Sequence, residues 1–163
     1  MINCYFEDGK KAAGGLRHVT INALVLRDNT ILLGKRGMTK GKKLNEWGKW
    51  GLLGGFLNRD ETLFQAIQRE VFEEGGCEIN NLTLFRIKDN PGRPRDDRQN
   101  VEFIFIAYFV KQIQEHDEEV SELKWFPLNA LPLPEKIAFD HGESIELYKN
   151  YMVKKHHSLP LLE

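Results

Sequence analysis

The chain lacks any apolar run approaching the roughly 18 residues that a membrane-crossing helix needs. Its first residues, MINCYFEDGKKAAGG, contain no apolar signal core. Cys4 and Cys77 are the only cysteines, which excludes a disulfide framework and a C-x-x-C metal pair and fits a reducing cytoplasm. Net charge is only −1, so there is no basic excess for nonspecific binding to nucleic acid or to an acidic membrane. The five histidines show neither H-x-x-x-H nor H-x-E-x-H spacing. No G-x-x-x-x-G-K-[ST] loop and no G-x-S-x-G elbow is present. These absences remove zinc-hydrolase, P-loop and serine-hydrolase readings. At 163 residues the chain still fits one domain with a real core.

What is there is concentrated between Gly55 and Cys77, GFLNRDETLFQAIQREVFEEGGC. Asp60-Glu61-Thr62 predicts a helix start, with Asp60 as N-cap and Glu61 at the positive end of the dipole. Leu63, Ala66, Ile67 and Val71 recur at helical spacing, and Gly75-Gly76 ends the run. Glu70, Glu73 and Glu74 then project from one face within a single turn, near the end where negative charge is disfavoured. Arg69 reaches Glu73 at i+4, whereas Glu70 and Glu74 have no base at helical spacing. Spacing alone leaves two readings. One is a solvated acidic face, whose cost is only about 0.2–0.5 kcal/mol per like-charge pair. The other is a set of oxygen ligands for a hard divalent cation.

Gly55, Glu61, Arg69, Glu70, Glu73, Glu74 and Gly76 fit the pattern G-x5-E-x7-R-E-U-x-E-E-x-G-U, with Val71 and the small, apolar Cys77 at the U positions. On these residues the chain resembles the Nudix hydrolase family, with flanking features extending the likeness from Arg17 to Trp125. The resemblance implies an α/β fold, an α/β/α sandwich around a mixed sheet. It divides the chain into an N-terminal arm (1–16), a Nudix domain (17–155) and a tail (156–163).

The pass along the chain is compatible with that fold. Strands are predicted at His18–Leu26 and Thr30–Lys35, joined as a hairpin by Asp28-Asn29. A basic loop, 36–49, leads to a short extended piece, Trp50–Leu53, and a turn at Gly54-Gly55. After the box helix, strands are predicted at Glu78–Lys88, Val101–Val110 and Val120–Phe126. The second of these is apolar on both faces and reads as central. A polar loop, Asp89–Gln99, precedes it, and a terminal helix is predicted over Ile137–Val153.

The resemblance also implies roles. Glu70, Glu73 and Glu74, with the carbonyl of Gly54, would hold Mg²⁺ or Mn²⁺. Glu70 is the first choice to deprotonate the attacking water, Arg69 would position the carboxylates, and Glu61 would brace the loop–helix element. Leu53 stands where family members usually carry proline. Arg36, at the end of the second strand, is either a phosphate contact or a solvated strand end. The lysines around it (Lys35, Lys40, Lys42, Lys43, Lys49) form either a polyphosphate-attracting lip or soluble surface. Phe56 either stacks on a base or packs in the core, and the three tryptophans read as packing. Arg95 and Arg98 are further phosphate candidates. The family often recruits one more carboxylate from outside the box, and Glu102, Glu115, Asp117, Glu118 and Glu119 are the available acids.

The expected reaction is metal-dependent hydrolysis of a pyrophosphate bond in a nucleoside diphosphate linked to another group, ADP-ribose-like in the favoured case. The alternatives are a nucleoside triphosphate pyrophosphohydrolase and a Nudix-fold regulator that binds a nucleotide without cleaving it. The expected partner is a small nucleotide diphosphate, with no membrane or evident nucleic-acid partner. A homodimer is left open.

Overall fold

The computed structural model describes residues 8–10, 17–89, 91, 100–154 and 158–162. Arg95 and Arg98 lie outside the described residues, as does most of the expected N-terminal arm. Ten strands and two α-helices follow in the order β1 (Val19–Arg27), β2 (Thr30–Arg36), β3 (Met38–Thr39), β4 (Lys42–Lys43), β5 (Trp50–Gly51), β6 (Leu53–Phe56), α1 (Leu63–Gly75), β7 (Cys77–Lys88), β8 (Val101–Gln112), β9 (Val120–Pro127), α2 (His141–Lys154) and β10 (Leu161–Leu162).

The main sheet is mixed and eight-stranded, in the order β10-β7-β8-β1-β2-β5, with β6 on β1 and β9 on β2. Strand β8 lies between β7 and β1, as its apolar composition predicts, and pairs with β1 in parallel over Val19–Leu26. Alternation along β1 then builds two cores. Ile21, Ala23 and Val25 face Ala66, Ile67 and Val71 of α1, while Leu24 and Leu26 face Ile145 and Tyr148 of α2. The result is a helix on each face of the sheet, the α/β/α sandwich expected from the sequence.

Strand β1 shares one edge between two partners. Its beginning pairs with β6 (Thr20↔Phe56, Asn22↔Gly54) and its end with β2 (Val25↔Leu32). Strand β2 therefore runs on past β1, held by β9 along its length and by β5 at Gly34 and Lys35. Its last residue, Arg36, reaches the region where the sheet parts.

Three local expectations are corrected. The N-cap of α1 is Thr62, not Asp60: Thr62 Oγ1 accepts the Gln65 amide at 3.3 Å, and the Gln65 side chain accepts the Thr62 amide at 2.8 Å. This reciprocal box satisfies two end donors, which an aspartate two residues earlier cannot do. Glu61 consequently lies before the helix, and its carboxylate is drawn to Arg69 instead of the dipole. Gly54-Gly55 is not a turn but part of strand β6. Helix α2 begins at His141, because Ile137 and Ala138 are spent bridging to Trp50, whose carbonyl takes the Ala138 amide at 2.7 Å.

Candidate active site

Helix α1 and the carboxylates it carries press against β6, and the glycine pair makes this contact feasible. A Cβ on Gly55 would stand 2.6 Å from the Glu70 carboxylate. Gly54 has φ +151, and a Cβ there would meet the Ile21 carbonyl at 2.1 Å. Glycine is thus required twice, once for the approach of the helix acids and once for the approach of β1. With the strand stripped of side chains, Glu74 Oε2 accepts the Gly54 amide at 2.8 Å.

Arg69 organises the remaining box acids. Its guanidinium donates to Glu61 at 2.6 and 2.9 Å, Glu70 at 2.8 Å, Glu73 at 3.0 Å and the Phe56 carbonyl at 3.2 Å. Glu70 is therefore paired, contrary to the helical-spacing expectation, because a long arginine can fold back along its own backbone to its sequence neighbour. The hydrogen bond from Arg69 holds the Glu61 carboxyl below its usual range. Burial raises the Glu70 carboxyl, with Arg69 opposing. Glu74 is 8 % exposed, and its burial pushes the carboxyl up to about 8 despite the Gly54 amide.

A cavity of about 380 Å³ opens over this group, lined by Glu70, Glu73 and Glu74 on one side and Asp117 and Glu119 on the other. It shares Arg36, Leu44, Gly54, Gly55 and Phe56 with an adjoining chamber of about 260 Å³. The chamber adds Thr20, Asn22, Asn100, Glu102, Phe139 and His141 to its lining. Together they form one cleft, with an acidic mouth at the box carboxylates and a polar, aromatic chamber beside it.

The sequence candidates divide between these regions. Glu70, Glu73, Glu74, Gly54, Arg36 and Phe56 all line the cleft, with Arg69 and Glu61 bracing it from behind. Phe56 is 38 % exposed and meets His18 edge-on, so it lines the site and does not pack in the core. Arg36 donates to the Asn45 carbonyl at 2.6 Å and lies 4.9 Å from the Phe139 ring centroid. The lysine lip is only partly present: Lys43 lines the chamber, whereas Lys35 pairs with Glu122 and Lys49 with Glu46. Of the acids outside the box, Asp117, Glu119 and Glu102 reach the cleft.

Sequence reasoning missed Asn22, Asn100, Phe139 and His141. A signal existed for Asn22, a polar residue within the apolar run of β1. For His141 none did, since the fold alone brings the start of α2 beneath Leu52, whose amide donates to His141 Nδ1 at 3.0 Å.

The fit to a divalent cation follows from the donor chemistry. Among the described residues no three acidic, histidine or cysteine side chains stand, as placed, where they could together hold a metal ion. Arg69 draws oxygens of both Glu70 and Glu73 to itself. Even so, the acids at the mouth are all oxygen donors, suited to a hard cation. Burial raises the carboxyls of Glu70 and Glu74, and a cation beside them would favour their charged forms. The residue types present fit a hard divalent cation.

Comparison with known proteins agrees with this geometry. The chain belongs to the NUDIX domain family, whose model matches residues 16–148. It is similar to the ADP-ribose pyrophosphatase of Methanocaldococcus jannaschii, with 32% identity over 134 residues, 82% of this chain and 73% of that protein. It is also similar to the human 8-oxo-dGDP phosphatase NUDT18, with 31% identity over 118 residues, though these are 70% of this chain and only 34% of the human protein. Among solved structures, the MutT NUDIX hydrolase from Burkholderia pseudomallei superposes with a TM-score of 0.68 at 28% identity, covering 81% of this chain and 98% of that one. Nudix hydrolases generally use divalent metals. No helix among the described residues is long and apolar enough to cross a membrane.

Proposed function

We propose that this Nudix pyrophosphohydrolase cleaves the pyrophosphate bond of a nucleoside diphosphate linked to a second group, with ADP-ribose as the type substrate. The observation that carries the reading is the continuity of the cleft: the acidic mouth adjoins a chamber with room for one ring system, across the bare backbone of Gly54 and Gly55. The diphosphate lies at the mouth and one substituent enters the chamber. The similarity to an ADP-ribose pyrophosphatase supports the same choice.

Glu70, Glu73 and Glu74, with the Gly54 carbonyl, would hold Mg²⁺ or Mn²⁺. When bound, the cation offsets phosphate charge and acidifies the attacking water. Glu70 would accept a proton from the attacking water, a role for which its raised carboxyl is suited. Arg69 keeps Glu61, Glu70 and Glu73 in one rigid unit, so that little reorganisation accompanies the reaction. Arg36 and Lys43, lining the cleft, supply positive charge to the phosphates. Arg95 and Arg98 are assigned to the same task from sequence. The protein acts in the cytoplasm on a small nucleotide.

The test is a substrate panel with product identification. ADP-ribose should be cleaved with Mg²⁺ or Mn²⁺, giving AMP and ribose 5-phosphate, and excess chelator should abolish turnover. Preferred release of inorganic pyrophosphate from a nucleoside triphosphate would overturn the substrate. Full turnover in excess chelator would overturn the mechanism.

A further inference from the structure

The inner chamber is built in more detail than a diphosphate hydrolase requires. Phe139 forms part of its wall with φ +51, a left-handed conformation that is uncommon for a bulky residue and costs of the order of 1 kcal/mol or more. The surrounding structure holds it there. The preceding Ala138 amide is bound by Trp50, Asp140 pairs with the buried Lys88, His141 takes the Leu52 amide, and the Arg36 guanidinium lies over the ring. Phe56 contributes a second aromatic side chain to the lining.

Two buried side chains of the chamber lining offer acceptors. Glu102 is 1 % exposed and accepts from Asn22 Nδ2 at 2.6 Å; a carboxylate has room for more than one donor. Asn100, 6 % exposed, lines the same chamber, and its Oδ1 has no hydrogen-bond partner among the described residues. A buried acceptor left in that state is costly. The nearby donors are oriented inward: Asn22 Nδ2 donates to Glu102, and His141 Nε2 lies 4.0 Å from the same carboxylate. An occupant that meets these two acceptors brings hydrogen-bond donors, and the aromatic wall suits a flat ring.

We infer that the chamber is a nucleobase subsite in which Asn100 and Glu102 select a ring with an exocyclic amino group, as adenine has, and in which Phe139 provides the stacking face. This inference rests on the proposed function for the nature of the substrate. It goes beyond it in naming the residues that read the base. Asn100 and Glu102 discriminate because an oxo group in place of the amino group sets acceptor against acceptor and leaves buried polar atoms unpaired.

The experiment is calorimetric titration of the intact protein with AMP and with IMP, whose bases differ by amino against oxo at one ring position. AMP is expected to bind at least about tenfold more tightly than IMP. Glu102→Gln, which replaces an acceptor by a donor, should shift the AMP/IMP ratio toward IMP by about tenfold. Asn100→Ala should reduce the ratio without favouring IMP, and provides a second route if Glu102→Gln does not fold. Phe139→Leu should weaken both nucleotides by a similar factor, about tenfold, because stacking ignores the ring edge. Equal affinities for AMP and IMP in the unaltered protein, or a ratio unchanged in both Glu102→Gln and Asn100→Ala, would overturn the inference. Monophosphate binding needs no turnover, so a failure to cleave ADP-ribose would reject the proposed reaction while leaving this result to stand or fall separately.

Discussion

Glu74 is the residue on which burial and charge conflict most openly, and Glu74→Gln exposes that conflict in the cation-free protein. Burial raises its carboxyl from 4.5 to about 8. Below the unfolded value both states are protonated and folding carries no penalty. Between 4.5 and about 8 the folded state keeps a proton that the unfolded state has lost, so stability falls as pH rises, by about 1.4 kcal/mol per pH unit. From pH 5 to pH 7 the loss is about 3 kcal/mol, and above the folded pKa it levels off. For a chain of this size that is a fall in melting temperature of about 8 °C. Glutamine keeps the shape and an oxygen for the Gly54 amide but does not titrate. Melting curves in excess chelator should therefore nearly coincide for the two proteins at about pH 4, below the unfolded value, and separate by about 8 °C at pH 7, with Glu74→Gln the more stable. Glu70, itself raised by burial, is one of the charges that raise Glu74, so the difference reports the pair and not Glu74 alone. Added Mg²⁺ should flatten the profile of the unaltered protein, since a cation favours the deprotonated acids. Parallel profiles across this range would refute the reasoning.

The other expectations concern the glycine pair, the arginine pin and the half-exposed acid. Gly55→Ala places a methyl group against the movable Glu70 carboxylate, so kcat should fall at least tenfold with little change in melting temperature; the reverse pattern would count against a catalytic Glu70. Gly54→Ala meets rigid backbone at 2.1 Å with φ +151, and should lower the melting temperature by several degrees as well. Arg69→Lys keeps the charge but cannot bridge Glu61, Glu70 and Glu73 at once, so it should behave like Arg69→Met in turnover, and full rescue by lysine would refute the fork geometry. Glu73→Gln removes a ligand charge from a half-exposed position, so kcat should drop by about two orders of magnitude with melting temperature unchanged.

Much of the molecule was legible because it depends on short-range pattern. The stripe Leu63, Ala66, Ile67 and Val71 defines the buried face of α1, and the apolar run of β8 marks a strand covered on both sides. The acid spacing in α1 places Glu70, Glu73 and Glu74 on one turn whatever the helix packs against. Capping was legible too, though it was misread: Thr62 and Gln65 form the reciprocal pair, and Asp60 is only a frequent capping type in the neighbourhood.

What tertiary structure decided is how distant segments meet. No local pattern tells Arg69 to fold onto Glu61 and Glu70, since that depends on the path of the loop before the helix. Nor does spacing show that Gly54-Gly55 is a strand paired with β1, and it is this register that sets Asn22 against the glycine pair and Glu102 beside Thr20. The chamber draws on β1, β2, β6, β8 and the start of α2, brought together by a parallel crossover and a divided sheet edge. The sequence by itself determined the acidic turn and the helix that carries it, because helical periodicity is local. The interior that the substrate enters was decided by strand order and register, which are set by burial over the whole chain.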